Sequence, residues 1–186
     1  MKRVFLVFFV FFCAAGVSLH SWEAEDLKTY PEGIKPGTLI FNIGTGLGHF
    51  NFSHYAVLPL FVEGEVSVPL GGLPFGMGAI ITYSADKYNN YHHYLGIQFR
   101  ILYHFNWLIP KLDTYAAVDT GWVLHLVDGP ETSIGFPDIG LNLGGRYFFV
   151  PVFGVFGEIT LPMTEFFWPD WWGHLAWFKG GISLKF

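Results

Sequence analysis

Nine charged residues carry the most suggestive chemistry in this chain: Glu63, Glu65, Asp119, Asp138 and Glu158, with Arg100, Arg146, Lys179 and Lys185. Glu63 and Glu65 stand two apart, a spacing that puts both carboxylates on one face of a strand. Two carboxylates held together can divide acid and base roles. Five acids near four bases can instead neutralise one another as an ion-paired network. A second set is imidazole: His49, His54, His92, His93, His125 and His174, with Asp86, Asp128 or Glu131 as oxygen donors. Converging imidazoles suit zinc, copper or nickel, or they sense acid near neutrality. No HExxH spacing fixes a geometry, so no metal ligand set is assigned and no cofactor is implied; uptake of one Zn²⁺ per chain is testable by titration calorimetry. His104 maps away from the other six. Ser53 and His54 are adjacent and would point to opposite sides of a strand, and there is no GxSxG elbow. Gly44-Thr-Gly-Leu-Gly48 lies in a strand-like stretch rather than opening a helix, which argues against a phosphate loop.

The elements that hold these residues read as strands. In the last nine residues Phe178, Ile182, Leu184 and Phe186 alternate with Lys179, Ser183 and Lys185. Leu60, Val62, Val66 and Val68 oppose Glu63, Glu65 and Ser67. Leu95 through Phe105 alternates against Gln98, Arg100 and His104. Ala116, Val118, Thr120, Trp122 and Leu124 oppose Tyr115, Asp119 and Gly121. Ile139, Leu141, Leu143 and Tyr147 oppose Asp138, Asn142, Gly144 and Arg146, and Val155, Ile159 and Leu161 oppose Glu158 and Thr160. Two weaker, glycine-rich segments, 38–48 and 75–83, complete eight strands. Phe61, Ile80, Leu102 and Phe156 fall on the polar faces as well.

Composition decides what the apolar faces meet. The chain is 52% hydrophobic and 13% charged, against roughly a quarter charged in soluble domains. One small aqueous core does not absorb that excess, so a membrane is implicated. Downstream of the N-terminus no apolar run reaches the ~18 residues of a spanning helix. Only helices and closed barrels satisfy every backbone group in lipid. The expectation is therefore an all-β fold, an eight-stranded antiparallel transmembrane up-and-down barrel over residues 38–186. Its polar faces would fill a lumen that eight strands leave only side-chain wide.

Connections alternate. Residues 69–74, 106–111 and the Val150-Pro151 corner are short, while 48–57, 84–92, 125–133 and 162–173 are longer and are expected as outer loops. Phe166, Phe167, Trp168, Trp171, Trp172 and Trp177 suit an interfacial girdle or a ligand platform, with Tyr83, Tyr88, Tyr91, Tyr94 and Trp122 on the same rim. Trp107, Tyr147, Phe148, Phe149 and Phe153 would mark the other rim.

The N-terminus has the pattern of a secretory signal: Lys2 and Arg3, an apolar run from Val4 to Phe12, then small residues with cleavage after Ser18 or Ser21. Residues 1–21 are read as this leader and 22–37 as a periplasmic lead-in. The only cysteine, Cys13, lies in the leader, so no disulfide framework is expected. Loss of Lys2 and Arg3 takes the formal charge from −5 to −7, which gives no electrostatic case for nucleic acid.

Signal, eight alternating strands and a final aromatic residue together resemble the small outer-membrane barrels of the OmpA, OmpX and OmpW type. That resemblance implies a diderm outer membrane, Sec export, periplasmic termini, a monomer surrounded by lipid, and an extracellular ligand as a possible loop partner. It also implies that Phe178, Ile182, Leu184 and Phe186 are read by the barrel-assembly machinery. Three functions follow for testing: a plugged structural or surface-interaction barrel, a narrow pore or solute conduit, and a lipid-modifying enzyme. The absence of a His-x-Ser pair on one strand face speaks against the last.

Overall fold

The computed structural model describes residues 34–47, 55–88, 90–105, 111–127, 134–164 and 176–186. The leader, most of the lead-in, His49, His54, His174, Trp107, Asp128, Glu131 and the 166–172 aromatics lie outside the described residues. Eight strands follow in order: β1 Leu39–Leu47, β2 Tyr55–Leu70, β3 Leu73–Tyr88, β4 Asn90–Phe105, β5 Leu112–Val127, β6 Ile134–Val150, β7 Phe153–Pro162 and β8 Phe178–Lys185. Each pairs antiparallel with the next, and β1 pairs with β8 from Ile40↔Lys185 to Leu47↔Phe178, so the sheet closes on itself. Closure removes the unpaired edges that an open sheet would expose. Leu39 and Phe186 exchange backbone hydrogen bonds at 2.9 and 2.8 Å, so both ends of the barrel chain meet at one rim, the terminal rim.

The β2–β3 connection shows how the sequence forces a tight return. Gly71 and Gly72 sit at φ 61° and 80° between the paired Leu70 and Leu73. A two-residue hairpin with both central φ values positive matches the right-handed twist of its strands, and glycine adopts it without a Cβ penalty.

The strands run further toward the loop rim than sequence patterning indicates. β3 and β4 stay paired from Ser84↔Tyr94 to Tyr88↔Asn90, so residues 84–88 and 90–92 are strand and not loop. Likewise β5 carries His125 and ends at Val127. Hydrogen bonding continues there although the outward side chains no longer keep an apolar alternation. Two aromatic placements also change. Tyr94 faces inward on the Arg100 side of β4, and Phe148 is buried in the lumen, because each has the parity of its strand's polar face.

Side chains sort by face in the reverse of a water-soluble sandwich. Ile97 is 54% exposed, Leu143 51% and Val118 47%, whereas Arg100, Arg146 and Asp119 are fully buried. Phe61, Ile80 and Phe156 form one small apolar cluster inside, and Leu102, Tyr115 and Ala117 another. Ile40, Val123 and Phe148 are buried on inward positions as well, and the other inward side chains are mostly polar.

Candidate functional site in the barrel lumen

Arg100 on β4 is the hub. It donates from Nε and Nη2 to Asp119 on β5 at 2.6 and 2.8 Å, and from Nη1 and Nη2 to Glu158 on β7 at 2.6 and 2.8 Å. Nη1 also reaches Glu63 on β2 at 3.1 Å. Arg146 on β6 is a second hub nearer the terminal rim. It donates to Asp113 at 3.0 Å, to Glu63 at 3.2 Å and to Glu65 at 2.5 Å. In a ring of eight, β6 and β2 stand opposite, so Arg146 and Glu65 span the barrel's full width. Glu63, shared by both guanidinium groups, joins the two hubs.

Further groups close the network. Lys179 donates to Glu158 at 2.8 Å and lies 3.6 Å from Asp119. The Tyr115 hydroxyl donates to Glu158 at 2.9 Å, and its ring lies 4.3 Å from the Arg146 guanidinium carbon. His104 Nδ1 meets Asp113 at 2.8 Å. Its Nε2 lies 2.9 Å from Glu65, close enough for an ion pair though not aligned as a hydrogen bond. Planar guanidinium groups suit this work because their donors form a rigid fork that matches carboxylates two oxygens at a time. Burial without such partners would be prohibitive for any of these charges.

The structure thus brings Glu63, Glu65, Arg100, Asp119, Arg146, Glu158 and Lys179 into one connected cluster. Asp138 is buried and accepts a hydrogen bond from Gln98 Nε2. Lys185 lies near the terminal rim, its ammonium 4.1 Å from the Phe148 ring centre. Sequence reasoning missed Asp113 as a network member. It lies on the inward parity of β5, two residues before Tyr115, and extending that strand by one alternation would have found it. Beyond Arg100 toward the loop rim, a recess lined by Thr82, Gly96, Gln98, Val123, Asp138, Ala176 and Lys179 leaves no room for a water molecule.

Three of the six loop-side histidines are described. His93 faces outward, its Nδ1 2.9 Å from the Tyr83 hydroxyl. His92 and His125 face inward, with Nδ1 and Nε2 2.9 Å apart. Among the described residues, no three of His, Cys, Asp and Glu already converge as a metal-binding group. Phe178 and Ile182 are exposed on the outer surface of β8, with Leu184 half-buried on the same face and Phe186 exposed just past the strand's end.

No family model matches the chain, and no curated protein matches it. Among solved structures it is similar to the N-terminal β-barrel domain of Pseudomonas aeruginosa OprF. That likeness has 12% sequence identity and a TM-score of 0.44, and it covers 82% of this chain and 98% of that one.

Proposed function

We propose that this chain is a small integral outer-membrane barrel whose lumen is plugged by ion pairs, and that its role is structural or one of surface interaction through the loops. The observation that carries this reading is the inversion of polarity between the two faces of a closed sheet. Large apolar side chains cover the outside while guanidinium and carboxylate groups fill the inside. Water disfavours that arrangement at about 25 cal/mol per Å² of exposed apolar surface, and lipid removes the penalty. Sec export, periplasmic termini and a monomeric state belong to the same proposal. So does recognition of Phe178, Ile182, Leu184 and Phe186 by the barrel-assembly machinery.

The pairing supports the plug. Glu63, Glu65, Asp113, Asp119 and Glu158 each face at least two cationic or imidazole groups, and the bonds of Glu63 and Glu65, with Arg100–Glu158 and Lys179–Asp119, cross the lumen between non-adjacent strands. The same commitment supports a non-catalytic role, since none of these carboxylates stands apart as an acid or base. The test is twofold. Membrane fractionation of expressing cells should place the protein in the alkali-resistant outer-membrane pellet, and the refolded protein should give no steady single-channel conductance in planar bilayers. Recovery in the soluble fraction would end the membrane reading. A reproducible conductance would replace the plug with a pore, and release of acyl chains from lipid A would replace both with an enzyme.

A further inference from the structure

We propose that His92 and His125, with Asp86 beside them, bind a divalent transition metal ion of the imidazole-preferring kind (Cu²⁺, Ni²⁺ or Zn²⁺) at the loop-side mouth of the lumen. The site needs the barrel fold but not its lipid setting, so it stands or falls separately from the proposed function. Its parts come from three consecutive strands. Asp86 on β3 lies directly opposite His92 on β4, and His125 on β5 lies directly opposite Tyr94, the next inward residue of β4. Directly opposed residues hold their Cβ atoms within about 5.5 Å, so the two imidazoles lie on one patch of wall with the Asp86 carboxylate at its edge.

The imidazoles are already aimed at each other. His92 Nδ1 and His125 Nε2 are 2.9 Å apart, their rings 20° from parallel. Two metal–nitrogen bonds of about 2.0–2.1 Å at a tetrahedral angle put the nitrogens roughly 3.4 Å apart, so the rings must part by about 0.5 Å and turn until both lone pairs face one ion. The proton now held between them moves to the far nitrogen of the same ring, a change of tautomer that leaves both imidazoles neutral. Tyr94 holds the patch in place. Its ring stacks on His125 at 4.6 Å and 6°, and its hydroxyl donates to Asp86 Oδ2 at 3.3 Å. A carboxylate tied to a ligand's neighbour in this way both orients the site and offsets the ion's charge. Asp86, His92 and His125 are only half-buried, which leaves an ion a path in.

His93 provides the internal control, because it is adjacent in sequence and points to the opposite side of the sheet. The refolded full chain is titrated with Cu²⁺ and followed by electron paramagnetic resonance, and with Zn²⁺ by calorimetry. One saturable ion per chain is expected, with a spectrum split by two nitrogens. His92→Gln and His125→Gln should each weaken uptake at least tenfold and remove one nitrogen from the pattern. Asp86→Asn should weaken uptake with both nitrogens kept, and His93→Gln should behave as the parent. Folding of each variant is checked by heat-modifiable electrophoretic mobility, and the nitrogen count of the parent protein is informative without any variant. No saturable uptake, or uptake indifferent to His92→Gln and His125→Gln, overturns the proposal.

Discussion

Arg100 and Glu158 meet across the lumen through two parallel hydrogen bonds, Nη1 to Oε2 at 2.6 Å and Nη2 to Oε1 at 2.8 Å, although β4 and β7 are not neighbours in the sheet. A fork-on-fork pair between non-adjacent strands fixes the distance between opposite walls, which the backbone ladder alone leaves adjustable. Breaking a buried pair from one side strands the other charge, at about 3–5 kcal/mol. Arg100→Met takes the guanidinium from Asp119, Glu158 and Glu63 together, leaves the first two to the Lys179 ammonium, and should lower unfolding stability by at least that amount. Arg100→Met combined with Glu158→Leu, Asp119→Asn and Lys179→Met, so that the ammonium held by the same two carboxylates is removed with them, should restore most of it. Urea unfolding of barrels refolded in phospholipid vesicles measures both.

The two groups that hold Asp113 and Glu65 should differ sharply in their effect on stability. Both carboxylates contact His104 and both contact Arg146. His104→Gln keeps a guanidinium on each carboxylate and should cost no more than about 1–3 kcal/mol, the scale of unpaired buried polar atoms. Arg146→Gln removes the shared cation and also frees one side of Glu63, so its cost should exceed that of His104→Gln by at least about 2 kcal/mol. Equal losses in the same unfolding assay would mean that Arg146 is not the hub.

Much of this arrangement is legible in the sequence, and the exceptions have physical causes. Inside and outside separate cleanly at Glu63, Arg100, Asp119 and Arg146 because a lone charge is intolerable on the apolar face, so alternation there is strict. Patterning fails at the loop rim. Around Ser84–His92 and at His125 the outward residues no longer need to be apolar, yet the strand ladder continues, so paired strand reads as a polar loop. Tyr94 and Phe148 fail for a different reason. An aromatic residue fits either a rim or a lumen, and only its parity with Arg100 or Arg146 decides. Which carboxylate meets which guanidinium depends on strand stagger around the ring, and no local spacing encodes that.

Gly144 and Gly157 make a paired test of lumen filling. A Cβ built on Gly144 would lie 2.5 Å from the Tyr115 hydroxyl oxygen, whereas one on Gly157 meets nothing within 4 Å. Gly144→Ala must push the Tyr115 ring off its place beneath Arg146 and away from Glu158. A loss of about 1–3 kcal/mol is expected, the usual cost of overpacking. Gly157→Ala adds a methyl on the outer surface and restricts the unfolded chain. It should be neutral or stabilising by roughly 0.5–1 kcal/mol. Near-equal effects would show that Tyr115 has room to move and that the lumen is looser than its contacts imply.

Outward charge is the sharpest probe of the barrel's surroundings. Val118 lies mid-strand on the outer face of β5, opposite Ile101 on one side and Leu141 on the other. Leu70 is also outward but sits at the two-glycine turn of the terminal rim. In a bilayer an arginine near the midplane costs about 2–4 kcal/mol, and one at the interface about 0–1 kcal/mol. Val118→Arg should therefore destabilise the vesicle-embedded protein by at least about 2 kcal/mol more than Leu70→Arg does. In water both would be ordinary surface substitutions, within about 0.5 kcal/mol of the parent. Vesicle unfolding that finds Val118→Arg as harmless as Leu70→Arg would remove lipid from the outside of this barrel, and with it the reason for its inverted faces.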